Sequence, residues 1–366
     1  MPTGLICYGR ERRGVAKVLI EDFPHGPGGH CGTTAMRDML KFYGHEYSED
    51  MVFGLAAGID FMYIRHEGIE PPVYIGGRSP DLEQNLCERL GVGMELVTGT
   101  AGDEAWLAVK KMLDEGTPAM VHADVYYLDY LRAKRHFSAH RIILVGYDDD
   151  ARVAFVADND RDTIQECSLA SLAEARSAAY LPRPADNAYY RFDVPGRLTP
   201  TGVAVKASIA SAVRQNVGLR AEEASFEFGD AKVGLGTTGL GEFVADMPAY
   251  PREMSAEMLS LLCKTVYVSA EKGGTGYGGN FRRMYGRFLQ EASALDGFSG
   301  LAPIGDEFVG IGDRWTGLSL IFKDNSGEGG RAVELAHPMA LEIHERESIA
   351  FNSLDDFVRG CKPVER

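Results

Sequence analysis

Residues His25–His45 read HGPGGHCGTTAMRDMLKFYGH, and the interpretation of the whole chain depends on them. The first part is rich in glycine, and Cys31 follows it directly. From Thr33 onward the apolar residues recur every three or four positions, which predicts an amphipathic helix that stops at Gly44. The pattern therefore places a thiol at the beginning of a helix, behind a flexible lead-in.

A thiol in this position is suited to nucleophilic chemistry. The first turn of a helix has unpaired N–H groups and carries about half a positive charge. A thiolate is stabilised there, so the thiol pKa falls below its ordinary value of about 8.5. The lead-in "GPGG" lets the backbone approach a substrate, because glycine adopts dihedral angles closed to other residues. The alternative, a small buried hydrophobic cysteine, is equally compatible with this stretch.

The composition excludes several classes of protein. The chain has 366 residues, of which 25% are charged, and this fraction is typical of a globular protein. The formal net charge of −15 disfavours a nucleic-acid partner. The six cysteines are widely spread and form no C-x-x-C pair, so they indicate neither a disulfide framework nor a zinc finger. The N-terminus lacks the apolar core of a signal peptide, and no apolar run could span a bilayer. We expect a cytoplasmic protein with no membrane partner.

The two halves of the chain differ in their predicted secondary structure. The first half mixes predicted helices, two of them capped by Ser48 and Ser79, with strands in "TPAMVHADVYYL" and "HRIILVGYDDDARVAFVADND". The segment "LPRPADNAYYRFDVPGRLTP" has the composition of a connector, and mostly helical patterns follow it. We therefore predict an α+β fold, with an α+β domain over residues 1–182 and a mostly helical domain over residues 183–366.

The predicted hairpin supplies a candidate base for Cys31. Its two strands run from Arg141 to Tyr147 and from Arg152 to Ala157, with "DDD" between them. If the turn centres near Asp149, His140 lies opposite Asp158 or Asn159, close enough for a hydrogen bond. A one-residue slip would turn the side chains to opposite faces, so the register decides between the acidic and amide residues of 158–160. Asp158 is the favoured partner, and a turn-capping role for residues 158–160 is the alternative.

Further polar residues are candidates for contacts with an oxyanion or a substrate. The backbone N–H of Cys31 is one natural oxyanion donor, and His25, a few residues upstream, is a second. His30 adjoins Cys31, and His136 precedes His140 by four residues, which is a spacing that metal ligands on a helix use. His136 and His140 lead into a strand, however, so the helical spacing does not apply and no metal is predicted. Asp124 interrupts an apolar strand pattern, so it is either structural or binds a cationic acceptor.

A glycine-rich segment at residues 273–279, GGTGYGG, precedes a predicted helix. It does not match the P-loop or the dinucleotide fingerprint. Its role stays open between a flap near the active site, a contact with a phosphopantetheine arm and a plain connector.

These segments together resemble known cysteine enzymes. "HCGTTAMRDMLKFYG", six residues after His25, resembles the nucleophile helix of papain-like enzymes, and "HRIILVGYDDDARVAFVADND" is similar to their His strand followed by an Asp or Asn strand. With "MVFGLAAGIDF", "ADVYYLDY" and the C-terminal "GGTGYGGNFRRMYGRFLQEA", most of the chain resembles the butirosin-biosynthesis BtrH-type family.

The resemblance implies a papain-like first domain and an acyltransferase activity. Such an enzyme moves an acyl group from an acyl carrier protein thioester to a small-molecule amine, without a separate cofactor. It implies Cys31 as nucleophile, His140 as base and Asp158 as the orienting acid. His25 stands where papain-like enzymes usually have Gln, which weakens its case as an oxyanion donor because a neutral imidazole donates from one nitrogen only.

Two other classes of function remain open at this stage. The same Cys-His-Asp set would serve a hydrolase, such as a peptidase, an amidase or a thioesterase. A binding or scaffolding module that kept the fold and lost the chemistry is the third class. A monomer and a homodimer are both compatible with the sequence.

Overall fold

The computed structural model describes residues 16–180, 183–218, 231–272 and 276–360. Helices and antiparallel strands are mixed along the chain, so the predicted α+β class is confirmed. The strands are β1 (Lys17–Leu19), β2 (Ile59–Arg65), β3 (Val73–Arg78), β4 (Gly93–Val97), β5 (Ala119–Ala123), β6 (His140–Asp148), β7 (Val153–Ala157), β8 (Gln165–Ser168), β9 (Tyr189–Asp193) and β10 (Lys232–Leu235). The helices are α1 (Cys31–Phe42), α2 (Glu49–Leu55), α3 (Leu82–Leu90), α4 (Gly102–Asp114), α5 (Leu169–Ser177), α6 (Thr201–Val217), α7 (Gly236–Asp246), α8 (Tyr250–Glu253), α9 (Ala256–Glu271), α10 (Arg282–Ala292), α11 (Leu301–Asp324) and α12 (Gly329–Gly360).

The chain divides into two compact units. The first contains the described residues up to Gly26 together with Glu95–Arg191, and the second contains Pro27–Met94 together with the described residues from Phe192 onward. The chain therefore passes between the units three times. The domain boundary predicted between residues 182 and 183 rests on a change in sequence pattern, and it stays a prediction.

A seven-stranded sheet organises the first unit. Its order is β4-β9-β5-β6-β7-β8, and β1 pairs with the end of β6. The longest strand, β6, has neighbours on both edges and is buried along almost its whole length. Its apolar side chains pack with α4 and α5 in a core that includes Val109, Leu144 and Leu172.

The predicted hairpin is present as β6 and β7. Asp148 pairs with Val153, and beyond a bulge Ile143 pairs with Ala157. The strand predicted in "TPAMVHADVYYL" is also present as β5, although it ends at Ala123. The connector predicted from the composition of "LPRPADNAYYRFDVPGRLTP" is wrong in part. Residues Tyr189–Asp193 form β9, because hydrogen-bonding partners on the neighbouring strands outweigh the local turn signals.

The second unit combines a three-stranded sheet with most of the helices. The sheet order is β10-β2-β3, and every pairing is antiparallel. Large aromatic side chains fill the interior, with Phe61 stacked on Trp315 at a ring separation of 5.8 Å. Arg282 is completely buried among them and forms a bidentate ion pair with Glu347. The mostly helical character predicted for the C-terminal half is confirmed by α6–α12.

Capping residues set the first residues of the helices near the site. Ser48 caps α2 by accepting a hydrogen bond from the Met51 amide, as predicted. The cap predicted at Ser79 is wrong. The helix α3 begins at Leu82 behind Asp81, and the Ser79 hydroxyl instead accepts from the Asp81 amide within the preceding turn. Gly91 ends α3 in the left-handed conformation, which glycine adopts without strain.

Some predictions fall on parts of the chain outside the described residues. These are the N-terminal segment without signal-peptide features, residues 273–275 of the glycine-rich segment, Cys7 and Cys361. Among the helices of the described ranges, none combines the length and apolar character needed to cross a membrane.

Candidate active site

The helix α1 begins at Cys31 itself. His30 is its N-cap, with an extended backbone and a side-chain Nδ1 that accepts a hydrogen bond from the Thr33 amide at 3.2 Å. The thiol therefore lies at the end of the helix that carries the first-turn amides and the positive end of the helix dipole. Cys31 is buried, although the residue keeps 8% of its surface exposed at the helix start.

The other cysteines of the described chain have a different environment. Cys87, Cys167 and Cys263 are thiols with at most 2% exposure. Burial raises the thiol pKa of Cys87 and Cys167 to about 12 and that of Cys263 to about 11. They remain protonated at neutral pH and are poor nucleophiles, because the thiolate is the reactive form.

A carboxylate that the sequence analysis missed holds the lead-in to Cys31. Glu49, the first residue of α2, is buried and accepts hydrogen bonds from the backbone amides of Gly29 and His30 at 2.9 and 3.0 Å. It also accepts from the hydroxyls of Thr33 and Thr34. A side chain on Gly28 could not fit there, because its Cβ would lie 2.0 Å from the Thr34 hydroxyl. The signal in the sequence is weak, an acid directly after the helix cap.

In the first unit, the hairpin brings His140 and Asp158 together. His140 Nε2 lies 2.8 Å from Asp158 Oδ1 and 3.0 Å from Oδ2. The pairing of Ile143 with Ala157 shifts the register by two positions from the direct opposition that the sequence predicts. An even shift keeps both side chains on one face, and the contact becomes diagonal. With Nε2 directed at the carboxylate, Nδ1 is the ring nitrogen suited to exchange a proton with a nucleophile.

Asp158 is held as a carboxylate by its neighbours. Its burial alone would raise the pKa, but the charge and hydrogen bond of His140 and the hydrogen bond of Tyr130 outweigh burial, and the pKa of Asp158 is lowered. The Tyr130 hydroxyl donates to Asp158 Oδ2 at 2.7 Å, and burial followed by the charge of Asp158 raises the pKa of Tyr130 far above its ordinary value. Tyr130 was missed because nothing in its local sequence indicates this contact.

Two family profiles cover most of the chain. Residues 30–159 match the N-terminal region of butirosin biosynthesis protein H. Residues 170–354, just over half of the chain, match a domain of unknown function (DUF4872). The chain belongs to the BtrH-type family. The search of curated proteins found no match. The BtrH N-terminal profile includes Cys31, Glu49, His140 and Asp158. Cys31 lies in the second unit of this BtrH-type chain, whereas His140 and Asp158 lie in the first.

The ring of His25, in the first unit, has a defined tautomer. Its Nε2 lies 2.9 Å from the Arg161 carbonyl oxygen. A carbonyl only accepts, so Nε2 carries a proton in this contact. A second donor, at Nδ1, exists only in the imidazolium form. The predicted oxyanion role of His25 in this BtrH-type chain therefore requires a protonated ring, and the role stays a prediction.

Asp124 and His136 lie together in the first unit. Asp124 is fully buried, and its carboxylate accepts from the Tyr126 amide and the Ser138 hydroxyl at 2.8 and 2.6 Å. His136 Nδ1 lies 3.3 Å from Asp124 Oδ1, and its ring stacks on Tyr180 at 3.5 Å between centroids. These contacts fix the loop between β5 and β6, and the substrate roles of both residues stay predictions. Across the described residues, no group of three or more His, Cys, Asp or Glu side chains is arranged to hold a metal ion.

Proposed function

We propose that this BtrH-type chain is a cysteine-dependent acyltransferase of antibiotic biosynthesis, which moves an acyl group from a carrier-protein thioester to an amine. The observation that carries the proposal is the hydrogen bond between His140 Nε2 and Asp158, since a histidine held by a buried carboxylate is the usual partner of an activated nucleophile. The name of the N-terminal profile, butirosin biosynthesis protein H, supports an enzyme of antibiotic biosynthesis.

Cys31 is the proposed nucleophile. It is the first residue of α1, where helix dipole and unpaired amides favour a thiolate. The three other described cysteines are disfavoured because burial raises their thiol pKa values to about 11 or 12. In the first step the thiolate attacks the thioester carbonyl, a carbon–sulfur bond forms to Cys31, and the bond to the carrier sulfur breaks. His140 returns a proton to the departing carrier thiol.

The second step transfers the acyl group to nitrogen. The amine attacks the acyl-Cys31 carbonyl, His140 takes the amine proton at Nδ1, and the Cys31 thiolate leaves. Asp158 keeps the imidazole oriented and stabilises its cationic form. The backbone N–H of Cys31 is the proposed oxyanion donor, with His25 as a second donor in its imidazolium form. Exchange between two thiols is nearly neutral in free energy and amide formation is favourable, so these steps need no ATP and no metal.

Intact-protein mass spectrometry tests the covalent route. Wild-type chain and the Cys31→Ala variant are incubated with an acylated carrier protein, and with a small acyl thioester in parallel. We expect one acyl adduct on the wild type and none on the variant. Cys87→Ala is the matched control, because Cys87 lies in the same unit and its raised thiol pKa makes it inert.

The fate of the acyl group separates the classes of function. An amine added to the acylated enzyme should yield an amide in preference to free acid. Free acid as the main product would replace the proposal by a hydrolase. An adduct that persists in Cys31→Ala would place the nucleophile elsewhere, and an unreactive wild type would indicate a scaffold.

A further inference from the structure

Glu49 gathers hydrogen-bond donors from the segment that leads into Cys31. Its Oε2 accepts from the Gly29 amide and, at 3.1 Å, from the Tyr277 hydroxyl. Its Oε1 accepts from the His30 amide and from the Thr33 and Thr34 hydroxyls. All these groups belong to the second unit. A carboxylate accepts hydrogen bonds through both of its oxygens, whereas an amide of the same length has one acceptor oxygen and would direct N–H groups at the donors.

The position of Glu49 suits a buried charge. It is the first residue of α2, where the helix dipole stabilises an acid. The charge-assisted hydrogen bonds satisfy it and are stronger than bonds between neutral groups. Unlike an ordinary helix cap, the carboxylate directs its oxygens away from its own helix to the start of α1.

The glycine-rich segment contacts the same place. From Gly276 to Phe281 every residue has a positive φ between 51° and 85°, including the non-glycine residues Tyr277, Asn280 and Phe281. The Gly276 amide donates to the Gly29 carbonyl at 3.3 Å, and a Cβ on Gly29 would lie 2.6 Å from the Tyr277 ring. The Phe281 ring packs edge-on against His30. Left-handed backbone at non-glycine residues is costly and concentrates at functional sites.

We propose that Glu49 and Tyr277 form a clasp that positions the first turn of α1, and with it the Cys31 thiol, for reaction. The inference rests on the proposed function, in which Cys31 is the nucleophile. Glu49 is a positioning residue, since its contacts are with the lead-in and first turn of α1. The strained run from Gly276 to Phe281 brings the Tyr277 ring and hydroxyl onto the lead-in.

The Glu49→Asp variant separates geometry from charge. It keeps the negative charge but is one methylene shorter, so it cannot reach both the lead-in amides and the threonine hydroxyls. The rate of Cys31 alkylation by iodoacetamide is followed against pH, with Cys31→Ala as background. We expect the midpoint pH to rise by at least about half a unit, because a loosened helix start stabilises the thiolate less. The plateau rate at high pH should stay within about threefold of wild type. His30 and Glu83, which lie at the same end of α1, are unchanged in the variant.

Glu88→Asp is the matched control. Glu88 lies on α3 in the same unit and accepts a hydrogen bond from Gln84, so the variant shortens an acid by the same methylene but changes none of the hydrogen bonds of the clasp. Its midpoint should equal that of wild type. A folded Glu49→Asp variant with an unshifted midpoint, or an equal shift in Glu88→Asp, overturns the proposal.

Tyr277→Phe keeps the test decisive if Glu49→Asp does not fold. It removes one hydroxyl from a side chain that is 59% exposed, so folding should be preserved. We expect a smaller upward shift, and no shift would refute the clasp. Acylation by a small thioester should fall at least tenfold in Glu49→Asp. The two proposals can fail separately. If the wild type is never acylated but Glu49→Asp still raises the alkylation midpoint, the proposed function is refuted and the clasp stands.

Discussion

At the scale of the residue, environment separates side chains of the same type. Cys31 begins a helix, whereas Cys87 is enclosed and burial raises its thiol pKa to about 12. His140 faces the carboxylate of Asp158, whereas His122 is buried against Tyr190. Burial, followed by the charges of Arg141 and Arg183, lowers the pKa of His122 to about 2, so this histidine is neutral in the folded chain.

Asp158→Asn tests the carboxylate that orients His140. The amide retains the size but removes the charge that stabilises the imidazolium, so we expect the acyl-transfer rate to fall by about 10²–10⁴. Tyr130→Phe removes one hydrogen bond to the same carboxylate and should lower the rate by less than about tenfold. Single-turnover acylation of Cys31 measures both effects. A rate for Asp158→Asn within twofold of wild type would contradict the assigned role.

The buried His122 predicts a loss of stability in acid. The folded pKa is about 2 against an ordinary value of 6.5, so the unfolded chain binds this proton more tightly. Its contribution to stability is complete above pH 6.5 and is lost as the pH falls from 6.5 toward 2. We expect the free energy of unfolding to fall by about 1–2 kcal/mol more in wild type than in His122→Gln between pH 7.5 and 5. Urea unfolding at both pH values measures the difference, and equal losses would contradict the prediction.

At the scale of the element, local patterns identified the helices and the hairpin, and neighbouring segments set their ends. The predicted helix after Cys31 is α1, and its start depends on the His30 cap and on Glu49. The cap of α3 lies two residues beyond the predicted Ser79, because Ser79 accepts a hydrogen bond inside the preceding turn. The turn of the hairpin lies further along the chain than predicted, since Asp148 pairs with Val153, and together with the bulge it shifts the register at His140 by two positions, which leaves His140 on the same face.

Gly29→Ala tests the close approach of Tyr277 to the lead-in. An added Cβ would lie 2.6 Å from the tyrosine ring, so we expect a loss of about 1–3 kcal/mol in the free energy of unfolding. Combining it with Tyr277→Ala removes the obstacle. The double variant should therefore lose less stability than the sum of the two single variants. Additive losses in urea unfolding would show that the ring does not restrict residue 29.

At the scale of the whole molecule, one buried ion pair connects distant parts of the second unit. Arg282 donates to both oxygens of Glu347 and to the carbonyls of Asp60 and Gly77, and Trp315 donates to Glu347. These contacts link α10, α11 and α12 to the strands β2 and β3. Because both charges are completely buried, each depends on the other for a compensating charge.

Arg282→Met should lower the free energy of unfolding by about 3–5 kcal/mol, because it leaves the Glu347 carboxylate buried without its cation. The double variant Arg282→Met, Glu347→Leu removes both charges and should be more stable than Arg282→Met alone. Urea unfolding of the three proteins measures this. A double variant less stable than the single one would show that the charge of Glu347 is stabilised without Arg282.

The sequence by itself determined the α+β class, the helix that starts at Cys31 and the hairpin that carries His140 and Asp158. These features are encoded in the period of the apolar residues and in the capping and turn residues, which act over a few positions. Only the tertiary structure decided that Tyr189–Asp193 joins a sheet and that Glu49 and Tyr277 meet at the lead-in to Cys31. Contacts between residues far apart along the chain depend on how all the elements pack, and no local pattern contains that information.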